Sequence, residues 1–317
     1  MKIAVTGGLG FIGSNFIRYI LDKYPGDEVI NIDKETYASN HNYLKNYEVD
    51  SRYKFHKADI AFTKQIEKPL NDVDAIVNFA AESHVDNSIN NSDLFISSNF
   101  IGAVNLLNLS NERGIRFNQV STDEVFGSLP IQSEVKFNED TRYNPRNPYS
   151  ASKAAADHMV LSYYNTYSSP VTITHSSNNY GPHQHREKFI PKIILNALNN
   201  HKIPVYGDGK QIRDWLFVQD NCRGIDLVLR KGTIGQRYLI GGSNEIRNED
   251  LVMRILQLMG KNYDLIEHVK DRSGHDIRYS SEISKISKEL GWAPSVPFEL
   301  GLKITLEHYI NNMATYL

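Results

Sequence analysis

The chain has 317 residues, 40% hydrophobic and 23% charged, as expected of a soluble globular enzyme with one large or two modest domains. Its 35 Lys and Arg against 37 Asp and Glu leave a net charge of -2, which argues against an electrostatic nucleic-acid or membrane binder. No run nears the roughly 18 apolar residues of a membrane span, the opening Met1–Gly7 lacks a signal peptide's apolar region, and Cys222 is the only cysteine, so a cytoplasmic protein without disulfide or metal is expected.

In chain order, short β-branched runs alternate with helical stretches, the pattern of βαβ units on a parallel sheet. Strands are predicted over Lys2–Thr6, Glu28–Asp33, Tyr53–Asp59, Ala75–Ala80, Phe117–Thr122 and Val171–Ser176. Between them, helices are predicted over Phe11–Lys23, Leu94–Arg113 and Pro148–Tyr167. After about residue 180 the prolines at 182, 191, 204, 294 and 297 and the turn Gly207-Asp208-Gly209 break the pattern. Only Asp214–Leu229 and Arg237–Gly241 return to it. The expected fold is α/β, with a doubly wound parallel sheet from 1–180 and roughly 214–242. A smaller, mixed α/β substrate domain would use roughly 181–213 and 243–317.

Thr6-Gly7-Gly8-Leu9-Gly10-Phe11-Ile12-Gly13 follows the first strand and opens the first helix. Gly8-x-Gly10-x-x-Gly13 fits the dinucleotide fingerprint, in which glycines permit a tight turn and close approach to a pyrophosphate at the helix N-terminus. Such a triplet also arises in ordinary turns, but Asp33 ends the second strand 20 residues after Gly13. A carboxylate there accepts hydrogen bonds from ribose hydroxyls and repels a 2′-phosphate, which favours NAD over NADP and makes the sheet Rossmann-type. Asp59-Ile60 is placed to flank the adenine, although Asp59 also suits a helix cap.

Two further clusters carry chemistry. Tyr149 and Lys153 lie four apart in a helical stretch, hence on one face, where the ammonium favours a tyrosinate able to act as a base. Thr122-Asp123-Glu124 ends the fifth strand, the edge where open α/β sheets hold ligands, and its paired carboxylates suit acid/base work. Taken alone, the first pair also reads as surface decoration and the second as a solvated turn. Ala80–Asp86 follows the fourth strand, and His84 in it reads as a structural hydrogen-bonding group.

On these stretches the chain resembles the extended short-chain dehydrogenases/reductases, and among them the dTDP-glucose 4,6-dehydratases, over nearly its full length. The resemblance continues through Ser177–Pro182, Glu187–Pro191, Gln211–Trp215, Ile240–Gly242 with Asn248, and Asp271–Asp276. It implies C4 oxidation of a nucleotide sugar by a tightly held NAD, with Tyr149 as base, eased by Lys153 and Thr122. Glu124 would then remove the C5 proton, and Asp123 would protonate the departing C6 hydroxyl. The resemblance further implies cofactor contacts at Gly7, Gly10, Phe11, Ile12, Gly13, Asp33, Lys34, Thr36, Asp59, Ile60, Ala80, Ala81, Ser83, Ser98, Tyr149, Lys153 and Asn179. Substrate contacts are implied at Ser83, Thr122, Asn178, Lys188, Phe189, Pro204, Tyr206, Arg213, Asn248, Arg272 and His275. The two arginines suit a diphosphate and Tyr206 a base-stacking role, whereas either arginine alone would read as a surface ion pair.

Phe126, Asn87, Ser273 and Ser39 depart from the family pattern, which usually has tyrosine, arginine, proline and glycine there. None is a proposed proton-transfer group. The nearest competing activity is dehydration of another nucleotide sugar such as UDP-glucose, followed by 4-epimerisation or decarboxylation. Asp123 discriminates, because only loss of the C6 hydroxyl needs an acid at that position. A silent NAD-binding scaffold is the remaining alternative. The 94–113 stretch carries more apolar residues than one core-facing stripe needs, among them Ile96, Phe100 and Ile101. Such a surplus also suits a helix buried within one subunit, but the resemblance implies that it pairs with the Tyr149 helix in the interface of a homodimer.

Overall fold

Runs such as Ile3-Ala4-Val5 and Ile76-Val77 are apolar on both sides because both faces of their sheet are covered, and all five side chains are fully buried. A computed structural model describes residues 1–271 and 274–316. Its strands are β1 (Lys2–Thr6), β2 (Glu28–Asp33), β3 (Tyr53–Lys57), β4 (Ala75–Asn78), β5 (Arg116–Thr122), β6 (Val171–Ser176), β7 (Asn178–Tyr180), β8 (Ile203–Tyr206), β9 (Ile212–Phe217), β10 (Arg237–Ile240), β11 (Glu245–Arg247) and β12 (Ile266–Val269). Seven of them form one sheet in the order β10-β6-β5-β4-β1-β2-β3, and every neighbouring pair is parallel. This is a Rossmann-type doubly wound sheet. The strand order reverses between β1 and β4, and that switch point leaves a crevice at the carboxyl ends of the strands.

The helices Phe11–Lys23 and Val218–Lys231 cover one face, packing Phe16, Ile17 and Ile20 with Cys222, Ile225 and Val228. Helices Gly102–Arg113 and Pro148–Tyr167 cover the other through Leu106, Leu107 and Val160. A separate core gathers Ile190, Ile193, Leu251, Ile255 and Leu302 from the second half of the chain. There β9 pairs with β7 and β11 in a three-stranded sheet, and β8 pairs with β12. The 214–242 stretch therefore starts in the smaller sheet and returns to the large one only through its helix and β10.

The predicted helix over 94–113 is continuous in position but not in pitch. Asp93–Phe95 is α-helical, Ile96–Ile101 is a π turn, and Gly102–Arg113 is α-helical again. Hydrophobic spacing cannot reveal such a turn, since one extra residue shifts the period without changing composition. The third and fourth strands end earlier than predicted. After β3, Asp59 turns the chain by accepting a hydrogen bond from the Ala61 N–H at 2.9 Å. Among the described residues no helix is long and apolar enough to cross a membrane.

Candidate active site

A cavity of about 310 Å3 opens at the switch point, and every residue expected to contact the cofactor lines it. Its floor is the turn after β1. Gly7 adopts a positive φ of 69°, and a Cβ there would sit 2.8 Å from the Ala80 backbone. At Gly13 a Cβ would meet the Gly7 carbonyl oxygen at 2.3 Å. Gly8 faces away, against Asn31 and Ile17, so the lining glycines are 7, 10 and 13 rather than the 8, 10 and 13 of the fingerprint. Among the described residues no side chain caps the Phe11–Lys23 helix, and its first turn holds no acid, so its first N–H groups face the cavity at its positive end. Those features fit a dinucleotide pyrophosphate.

At the far end, Asp33 is fixed as an acceptor by the Leu9 N–H at 3.0 Å and by the Glu35 N–H and Ser39 hydroxyl at 2.8 Å each. Ser39, which departs from the family pattern, thus orients the carboxylate that would meet the ribose. Asp59 both lines the cavity and caps its own turn, so its two readings coexist. Lys34 donates to Ser98 at 2.7 Å and lies 3.4 Å from Glu82. Asn99, buried in the π turn, clamps the Glu82 backbone at 2.8 and 3.0 Å and donates to Ser152 at 2.9 Å. Glu82 lies in the Ala80–Asp86 stretch, but Asn99 was not singled out by motif, because a single amide carries no pattern. His84 caps the Val85–Asn90 helix as a structural group.

The residues expected to be catalytic converge where β5 meets the Pro148–Tyr167 helix. An Asn147 capping box with Pro148 in the first turn starts that helix, which fixes Tyr149 and Lys153 one turn apart at the cavity wall. Lys153 points at the strand rather than at the phenol, donating to the Val120 carbonyl at 2.7 Å. Burial lowers this ammonium to about 8, while Asp157 holds it up. Tyr149, conversely, is pushed up by burial and by the Glu124 charge, with the Thr122 hydroxyl pulling it down. Of the groups that shift the phenol, the Thr122 hydroxyl is the one that favours its charged form.

Thr122 caps the turn Asp123–Phe126 by accepting from the Glu124 N–H at 3.3 Å. That turn sends the two carboxylates apart. Glu124 lines the cavity, while Asp123 is 1% exposed with Oδ2 lacking a hydrogen-bond partner among the described residues. Burial, then the Glu124 and Asp214 charges, push Asp123 well above the usual carboxylate range. Burial thus biases one carboxyl toward its protonated form while the other lines the cavity.

Of the predicted substrate residues, Ser83, Thr122, Asn178 and Lys188 line the cavity. Asn178 and Asn179 each present a buried side-chain oxygen without a partner among the described residues. Phe189, Pro204, Tyr206, Arg213, Asn248 and His275 lie outside its wall, and Arg272 falls outside the described residues. Arg213 is buried, held by the Ile212 and Asp276 carbonyls at 2.8 and 2.9 Å and stacked 4.3 Å from the Tyr279 ring centroid. Pairing of β9 with β11 brings it near Asn248, whose Oδ1 is buried without a partner among the described residues. The Tyr206 and His275 rings meet edge-on at 6.1 Å.

Comparison with known proteins gives one consistent result. Residues 4–305 match the GDP-mannose 4,6 dehydratase family. The chain is 47% identical to the dTDP-glucose 4,6-dehydratase of Haemophilus influenzae, over 99% of each. It is 45% identical to the Bacillus anthracis dTDP-glucose 4,6-dehydratase crystallised with NAD, with a TM-score of 0.92 over 99% of this chain and 98% of that one. The dTDP-glucose 4,6-dehydratase DesIV of Streptomyces venezuelae, also crystallised with NAD, is 42% identical with a TM-score of 0.97 over 100% and 99% of the two chains. This chain belongs to the GDP-mannose 4,6 dehydratase family, with dTDP-glucose 4,6-dehydratases among its near relatives.

Proposed function

We propose that this protein is an NAD-dependent hydro-lyase that converts dTDP-glucose to dTDP-4-keto-6-deoxyglucose. The observation that carries the reading is the split pair at the end of β5, with Asp123 buried toward its protonated form and Glu124 on the cavity wall. Gly7, Gly10, Gly13 and Asp33 would hold NAD, which when bound would supply the hydride acceptor and donor that this chemistry needs.

The chain's own residues handle the protons. Tyr149 takes the C4 hydroxyl proton while Thr122 steadies the oxygen. A phenol raised by burial makes a strong base once charged, and Lys153 supplies a cation one turn along the same helix. The C4 ketone acidifies C5–H, which Glu124 removes. Asp123 gives its proton to the departing C6 hydroxyl, so water leaves across C5–C6. Glu124 then returns a proton to C5 as C6 becomes a methyl group. Each placed proton transfer contributes about 10²–10⁴-fold in rate.

The same reading assigns 1–180 with roughly 214–242 to cofactor binding and the remainder to the nucleotide sugar. Its partner is a second copy of the chain, docked through Leu94, Ile96 and Ile101, which are 52%, 47% and 43% exposed. The enzyme works in the cytoplasm, where its buried Cys222 stays a thiol.

The test is incubation of the purified protein in D2O, without added NAD, with dTDP-glucose and separately with UDP-glucose. A new C6 methyl, loss of one water and deuterium at C5 are expected with dTDP-glucose. Faster turnover of UDP-glucose would reassign the nucleotide, and return of both sugars unchanged with NAD supplied would overturn the reading.

A further inference from the structure

Tyr149, Lys153 and Asp157 are spaced four apart and form one stripe of the Pro148–Tyr167 helix. Each meets the end of β5: Tyr149 faces Thr122, Lys153 donates to Val120, and Asp157 accepts from the Ser121 hydroxyl at 2.6 Å. Asp157 is fully buried. Its Oδ2 also lies 3.1 Å from His175 Nε2, which sits 3.0 Å from the Tyr143 hydroxyl. Its Oδ1 has no hydrogen-bond partner among the described residues. The proposed chemistry uses none of these groups, so a fully buried carboxylate one turn from the catalytic lysine is left to explain.

We propose that Asp157 is a positioning residue for this reaction: anchored by Ser121 and His175, it is the buried counter-charge that keeps the Lys153 ammonium charged beside Tyr149. A lone ammonium at such depth gives up its proton, since buried lysines fall to about 5–6. Lys153 settles at about 8, and Asp157 is the charge that raises it. The other titratable or charged groups around this stripe are Tyr149 on the same helix, Asp123 and Glu124 after β5, His175 on β6, and Tyr143 with Arg237 beyond it. The same charge opposes tyrosinate at Tyr149, so Asp157 acts through Lys153 and not directly on the phenol.

The role in catalysis rests on the dehydratase reading, but the charge relation does not. The Lys153 side-chain carbon resonance, assigned by its loss in Lys153→Met, is titrated by NMR in the otherwise intact protein. In the wild type a midpoint near 8 is expected, and one at about 5–6 would overturn the proposal. In Asp157→Asn or Asp157→Ser the midpoint should drop by about one pH unit, a tenfold loss of proton affinity, and Asp157→Glu should restore it. A folded neutral variant with an unmoved midpoint would overturn the proposal, because a purely structural carboxylate lowers the melting temperature without touching Lys153. With dTDP-glucose, kcat of the neutral variant should fall about tenfold near pH 9 and little near pH 6.5. A wild type inactive on dTDP-glucose with the titration as expected would sink the dehydratase reading and leave the charge relation intact.

Discussion

Asp123 illustrates how a catalytic acid opposes stability. Its carboxyl is raised by burial and by the Glu124 and Asp214 charges, so the folded chain holds a proton that the unfolded chain has lost. Stability from such a group is present below the unfolded carboxylate range and is lost as pH rises through the folded value. Asp214, raised to about 6, acts in the same direction, and its shift is worth about 3 kcal/mol. Asp123→Asn should therefore raise the melting temperature, with a gain that grows as pH rises above the usual carboxylate range, measured by calorimetry as a function of pH. The same substitution should cut kcat by about 10²–10⁴ while C5–H still exchanges with deuterium, because Glu124 is untouched. Thr122-Asp123-Glu124 was legible in the sequence as an acid/base pair. The resemblance implied Asp123 as the acid of the pair, but the cause of its raised carboxyl, burial first and then the Glu124 charge and that of Asp214 from β9, depends on tertiary packing.

At the scale of elements, the turn after β1 and the start of the first helix form one unit. Gly13→Ala would drive a methyl group into the Gly7 carbonyl, so the expected protein purifies without NAD and melts lower than the wild type. Absorbance spectra and thermal melts check this. The parallel sheet and the Pro148–Tyr167 helix were readable because apolar runs and helical stretches are local patterns. The fingerprint can be started at Gly7 or at Gly8, which are adjacent, and only their φ and neighbours separate the two. The contact from Lys153 to Val120 was likewise invisible, because it depends on which strand the helix lies against.

For the whole molecule, the exposed apolar face of the 93–113 helix should close a dimer. Ile101→Asp, at an exposed position, should yield a monomer by light scattering with its melting transition otherwise intact. The turn Ile96–Ile101 connects this face to the cavity, since Ile96 and Ile101 point outward while Ser98 and Asn99 are buried inward. A π turn holds one residue more than an α turn, and each helical residue accounts for about 100° of rotation. Removing one residue here, Ser97 for instance, would turn Leu94 and the stretch before it by about that angle relative to Gly102 and beyond. Subunit face and cofactor wall would then fall out of phase, however well each side chain was preserved. Between Phe95 and Gly102 the chain can accept a change of residue more readily than a change of length.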